Sequence, residues 1–274
     1  MKILLGVNTF GNNHRQTIAK NSWIHLRDNY NVDVIDMQFV DDIDNLQHTE
    51  IETRHVLHRS SKNTIESSNR QLPFVNDMFS YMSEQHYDYF MYCNNDIIVM
   101  KNIIKYLHEN EPNCVACSRV DIHDLKSFDD VLNKNIRPVR YEIAGLDLMV
   151  FKSDWYKSYS SLFDDYLAGQ PQWDQVFASI MKIYGDKPKL GNMIPPFCFH
   201  IMHGQTWQTQ GDSVERNHNE QLTKNNPFNA LMFKLFNSYL LEILIKRQPS
   251  GLFLNPLKDE AGIEHTWWER MRVK

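Results

Sequence analysis

Residues 2–39 constrain the fold more than any other part of the chain. KILLGVNTF (2–10) is an apolar run that ends in the polar loop GNNHRQ, and TIAKNSWIHLRDNY (17–30) places Ile18, Ala19, Trp23 and Leu26 near helical spacing. NVDVIDMQF (31–39) then alternates, which predicts a second strand. Strand, helix and strand in quick succession match a right-handed crossover between parallel neighbours, so a parallel sheet starts at residue 2.

The rest of the chain extends this pattern. The polar stretch 41–69 carries no clear periodicity. LPFVNDMFSYMSEQ (72–85) predicts a helix, with Pro73 in its first turn and Val75, Met78, Phe79 and Met82 on its apolar face. YDYFMYC (87–93) predicts a strand and KNIIKYLHEN (101–110) a short helix behind it. NCVACSRV (113–120) and LDLMVFKSDWY (146–156) predict further strands, and WDQVFASIMKIYG (173–185) a helix closed by Gly185. KLGNMIPPFCFHIMHG (189–204) is a short strand leading to a histidine-bearing loop, and NALMFKLFNSYLLEILIKR (229–247) is a strongly apolar helix. The expected fold is α/β, a mostly parallel central sheet flanked by helices, with a C-terminal helical extension.

Composition bounds the function. With 274 residues, 42% hydrophobic, the chain can bury a large core. A net charge of -5 gives no global basic field for nucleic acid. Cys114 and Cys117 form a C-x-x-C, but no second ligand pair stands at zinc spacing, so buried reduced thiols are expected. The start MKILLGVNTF is too short an apolar run for a signal peptide, and no stretch is long and apolar enough to span a membrane. A cytoplasmic protein is expected.

In an open α/β sheet, ligands collect outside the carboxyl ends of the strands. Polar clusters fall there at Thr9–Gln16, at Asn94–Asp96 and at Asp147. YFMYCNNDIIVM (89–100) interrupts an apolar run with Asn94, Asn95 and Asp96. One reading is an Asx-type turn. The other is a site for a divalent cation and phosphate, since hard cations take carboxylate and amide oxygens. Alternation along an extended segment would turn Asn94 and Asp96 to the ligand and Asn95 away. Asp147, inside an apolar strand, must be paired or line a cleft.

RQLPFVNDMFSYMSEQHYDYFMYCNNDIIV (70–99) resembles the segment that contains the D-x-D motif of GT-A glycosyltransferases, in the form N-x-D that some small members carry. The resemblance covers about 1–210, the expected nucleotide-sugar-binding catalytic domain, and leaves 211–274 as a lid loop, holding Arg216 and His218, and helical extension. It implies Mn2+ or Mg2+ held by Asp96 and His203 with Asn94 in support, and a nucleotide-diphosphate-sugar, such as a UDP-sugar, as donor. By the same resemblance Thr9, Asn12, Asn13, Arg15 and Asp36 would meet the nucleoside. Arg70, Asn94, Asn95 and Trp207 would line the rest of the donor site.

If such a transfer inverts, a carboxylate must take the acceptor proton. Asp174, at the start of the 173–185 helix, is the first choice for that base and Asp147 the second. Asp174 is equally well placed as a capping residue. The FHIMHG segment also offers His200 as half of a His-x-x-His pair, though the prolines and Gly204 argue against a zinc-binding helix. The implied activity is hexosyl or pentosyl transfer to a glycan, lipid-linked sugar, protein or modified DNA base. A nucleotidyltransferase is the alternative, against which VNTFGNNHRQ counts because it holds a single glycine; an inactive nucleotide-sugar-binding protein is another. The apolar helix 229–247 suggests packing or a homo-oligomer interface.

Overall fold

Ile3–Val7 form β1, buried along its whole length. The helix after it, α1 (His14–Tyr30), opens on a capping box: Asn13 accepts from the Gln16 N–H at 3.1 Å and Gln16 accepts from the Asn13 N–H at 2.9 Å. It ends on Asn31 in the left-handed conformation, φ 53°. The returning strand β2 (Val32–Phe39) lies parallel to β1, with Val7 opposite Asp36. The computed structural model describes residues 1–11, 13–42, 50–187, 189–191, 196–203 and 213–247.

The elements that follow are β3 (Glu52–Leu57), α2 (Ser61–Thr64), α3 (Val75–Ser83), β4 (Tyr89–Cys93), β5 (Ile97–Val99), α4 (Asn102–Asn110), β6 (Cys114–Ile122) and α5 (Phe128–Leu132). Then come β7 (Pro138–Lys152), α6 (Ser153–Tyr159), α7 (Trp173–Tyr184), β8 (Lys189–Gly191), β9 (Cys198–Ile201), α8 (Val214–Asn225) and α9 (Pro227–Arg247). The sheet runs β3-β2-β1-β4-β7-β6-β9-β5, with β8 beside β6. Its first half, β3 to β4, is wholly parallel. Beyond β4 it is mixed: β7 runs antiparallel to β4 and β6, and β9 runs parallel to β6. The expected α/β architecture holds, and Val214–Asn225 and Pro227–Arg247 are helical.

Each face of the sheet carries its own core. One side packs α1, α4 and α5 against β1, β5 and β6, with Trp23 fully buried and its indole N–H on the Ile97 carbonyl at 2.9 Å. The other side is aromatic, with Phe79, Phe90, Phe151, Tyr156 and Phe177 under α3, α6 and α7. Cys117 faces the first core and Cys114 the second, as residues three apart on a strand must. The C-x-x-C therefore cannot close on one ion, and all four cysteines are free and buried.

Several elements differ from the sequence pattern. Within 41–69 the structure has β3 and α2, hidden because an edge strand with half-exposed residues shows no apolar alternation. The end of the 146–156 strand turns into α6 at Ser153. The stretch from 214 is helical rather than loop, started by Ser213, whose hydroxyl accepts from the Arg216 N–H at 3.2 Å. Arg216 and His218 lie on that helix. Among the described side chains of α9, Met232 and Phe236 enter the aromatic core, while Leu231 and Leu235 stay exposed.

Gly6 sets how closely α3 approaches β1. A Cβ there would lie 2.2 Å from the Met82 sulfur and 2.8 Å from Met37 Cε. Gly6→Ala forces both thioethers off their packed positions and should cost about 1–3 kcal/mol. Urea unfolding would show this as a lower midpoint at an unchanged slope.

Candidate functional site

The break after β4 creates the site. Cys93 ends β4 in the middle of the sheet, and a tight turn, closed by the Ile97 N–H on the Asn94 carbonyl at 3.2 Å, sends the chain to the far edge as β5. Asn94 and Asp96 are partly exposed in this turn, and Asn95 is buried with its amide on the Phe10 carbonyl at 3.1 Å. The neighbouring strands aim further polar groups here. Arg119 and Asp121 alternate on β6 and so share a face, Asp147 stands on β7, and His200 sits on β9 opposite both Asp121 and Ile97.

These side chains form one continuous chain of contacts. His203 Nε2 and His200 Nε2 both meet Asp96 Oδ2, at 3.2 and 3.4 Å. His200 Nδ1 is 2.8 Å from Asp121 Oδ1, and the same oxygen accepts from Arg119 Nε at 2.9 Å. Arg119 Nη1 continues to Asp147 Oδ2, and Asp147 Oδ1 accepts from the Asn94 amide at 2.6 Å. A carboxylate at 94 would instead place two like charges in contact. A neutral side chain at 94 thus suits its contact with Asp147, and the Asn94 side-chain oxygen accepts from the Tyr92 hydroxyl at 3.3 Å.

Asp96, His200 and His203 offer ligand atoms within 4.8 Å of one another. Adjacent ligands of a six-coordinate first-row ion stand about 3 Å apart, near the 3.2 and 3.4 Å between Asp96 and the two imidazoles, so these residues could hold a divalent cation. Two imidazoles with a carboxylate suit a transition-metal ion better than Mg2+, which prefers oxygen alone.

Electrostatics divide the site into two halves. Burial alone would raise the Asp96 carboxyl, but hydrogen bonds from His200 and His203 and their charge hold it well below the usual carboxylate range. Burial works against the His200 imidazolium, yet hydrogen bonds to Asp121 and Asp96 raise its pKa to about 9. Burial also opposes the Arg119 charge and is outweighed by Asp147 and Asp121. On the other side, Asp174 opens α7, partly exposed, with Oδ2 accepting from the Leu146 N–H at 3.3 Å. Burial first, then the Asp147 charge, pushes its pKa up to about 7.

A proton-linked binding event follows from His200. A metal ligand must present an unprotonated nitrogen, so a divalent cation held here below pH 9 would displace the His200 Nε2 proton. Titrations at pH 7 in buffers of different ionisation enthalpy should show close to one proton released, and affinity should rise with pH up to about 9.

Neither a family model nor a curated protein matches the chain. Among solved structures it is similar to Staphylococcus aureus TarS 1–349, at 10% identity over 91% of this chain and 77% of that one, TM-score 0.46. It is similar to the mannosyltransferase PcManGT from Pyrobaculum calidifontis in complex with GDP-Man and Mn2+, at 12% identity, 99% and 84% coverage, TM-score 0.41. It is also similar to the bifunctional IspDF from Campylobacter jejuni, at 11% identity, 75% and 51% coverage, TM-score 0.37. Likeness at this level assigns neither family nor activity, and the chemistry has to come from the site.

The remaining sequence candidates separate. Thr9 and Asp36 meet at the ends of β1 and β2, where the Asp36 carboxylate accepts from the Thr9 N–H at 2.9 Å, its hydroxyl at 2.5 Å and the Gln38 amide at 2.9 Å. Asn13 is occupied as the α1 cap. Arg15 stands in the first turn of α1, its buried Nε without a hydrogen-bond partner among the described residues. Arg70 belongs to a group near α8, where Ser68 donates to its carbonyl at 3.2 Å and to Glu215 at 2.7 Å. Asn12 and Trp207 lie outside the described residues.

Sequence reasoning missed Arg119 and Asp121, and named His200 without selecting it. The signal was present in SRVDI, where alternate charged residues interrupt a strand that is otherwise apolar. Burying two charges on one strand face requires partners. Those partners are supplied by β7 and β9, which no local pattern reveals.

Proposed function

We propose that the chain is a glycosyltransferase that moves a sugar from a nucleotide-diphosphate-sugar to an acceptor hydroxyl. The observation that carries this reading is the pairing of a cation-binding cluster, Asp96, His200 and His203, with a carboxyl of pKa about 7 at Asp174, on either side of Asp147. A divalent cation at the cluster would supply positive charge against a departing diphosphate. Arg15 and the Thr9–Asp36 pair stand where the parallel strands end, suited to the phosphates and the nucleoside.

Asp174 is the group suited to proton transfer. Its pKa lies near neutral, where a general base works best, and the residue is only partly buried. Asp147 is committed to Asn94 through one oxygen and to Arg119 through the other. In the transfer, the acceptor oxygen bonds to the anomeric carbon, the bond from that carbon to the diphosphate breaks, and the acceptor proton passes to Asp174. Residues 1–210 would provide this chemistry, with 211–274 as the helical extension. Asn219 on α8 already clamps the approach to α7, accepting from the Leu167 N–H at 2.8 Å and donating to the Pro171 carbonyl at 3.1 Å.

The test is a panel of nucleotide-sugars, UDP-sugars first, incubated with the protein and Mn2+. Slow release of nucleoside diphosphate, with water as acceptor, is expected. Release of pyrophosphate from a sugar phosphate and a nucleoside triphosphate would assign a nucleotidyltransferase instead. No thermal shift with any nucleoside diphosphate in Mn2+ would overturn the reading.

A further inference from the structure

We propose that Arg119 is a positioning residue that fixes the cation site from outside it, by holding the one oxygen of Asp121 that orients His200. The inference rests on the cation-binding reading above and assigns a role that the sequence pattern of the site does not contain.

Three features of the geometry support it. Arg119 and Asp121 are enclosed, with side chains 15% and 1% exposed, so their contacts are not surface pairs loosened by water. Asp121 Oδ1 takes both Arg119 Nε and His200 Nδ1, which means the arginine sets the position of the atom that sets the imidazole plane. The far nitrogen of that ring then points at Asp96 Oδ2. Carboxylate–histidine pairs of this kind fix the tautomer and direction of a ligand, and losing them typically weakens metal affinity about 10- to 100-fold.

Arg119 is also suited to the task in a way lysine is not. Its planar fork reaches two acceptors on different strands, Asp121 on β6 and Asp147 on β7, through separate nitrogens. An ammonium would neutralise the same carboxylates without fixing their orientation. A role limited to charge balance and a role in positioning therefore differ in what Arg119→Lys does.

The experiment uses MnCl2 alone, titrated calorimetrically into the full chain at pH 8. Wild type should bind, Asp96→Ala should not, and Arg119→Lys should bind about 10- to 100-fold more weakly. Asp121→Asn should fall in the same range. The double variant should bind within about threefold of Asp121→Asn alone, because both changes cut one relay.

Arg119→Lys binding like wild type would overturn the proposal, as would losses that multiply in the double variant. Asp121→Asn gives an independent reading if Arg119→Lys fails to fold, and wild-type affinity in Asp121→Asn would equally overturn it. If wild type binds no Mn2+, the cation reading itself fails and the inference falls with it.

Discussion

Asp96→Ala is expected to abolish Mn2+ binding and to lower metal-dependent sugar transfer by about 10²–10⁴-fold. Cation stabilisation of a departing diphosphate is worth several kcal/mol, and each 1.4 kcal/mol is tenfold in rate. Asp96 is the one carboxylate of the cluster, and both imidazoles converge on its Oδ2 at 3.2 and 3.4 Å. Without it, His200 and His203 face each other with ring centroids 4.9 Å apart and no anion between them. His200 also loses one of the partners that raise its pKa to about 9, so its proton should come off at lower pH. A stability effect has a defined sign: the folded Asp96 carboxyl is held below its unfolded value, so its contribution is present above about pH 4 and lost on acidification. Asp96→Ala should therefore be less stable than wild type at pH 7, with the gap closing toward pH 2. Calorimetry with MnCl2 and a nucleoside diphosphate checks the first claim, and wild-type affinity in the variant would remove Asp96 from the site.

What could be read in the sequence was decided by how local the information is. The crossover at 2–39 was legible because burial on both faces forces apolar strands and the helix between them shows its spacing. Asp96 could be flagged because Asn94–Asp96 interrupt an apolar run, and Asp174 only through the resemblance of the 171–177 segment. Asn94 could be flagged but its reason could not, because the Asp147 carboxylate that requires a neutral partner lies 53 residues away. Arg119, Asp121 and His200 become a unit only where β6, β7 and β9 lie side by side, and that order depends on long-range pairing. β3 was illegible for another reason: an edge strand needs no apolar alternation, and its exposed residues supply none.

Asp174→Asn separates catalysis from folding, because the two effects have opposite signs. The acceptor hydroxyl would lose its base, and general base catalysis contributes about 10²–10⁴-fold, so turnover should fall by that factor while the KM for donor changes little. The fold should gain. Burial and the Asp147 charge raise the Asp174 pKa from 3.8 to about 7, so the folded state binds its proton more tightly than the unfolded chain does. That stabilisation is complete below about pH 4, declines as pH rises through 7, and leaves an ionised carboxylate in an unfavourable place above it. Asparagine keeps the shape and never ionises. The variant should exceed wild type in stability at pH 8 by on the order of 2–4 kcal/mol and match it near pH 4. Denaturant melts at both pH values test the second claim. Equal losses of stability at pH 4 and pH 8 would mean that Asp174 serves the helix start rather than the reaction, and an unchanged rate would remove it as the base.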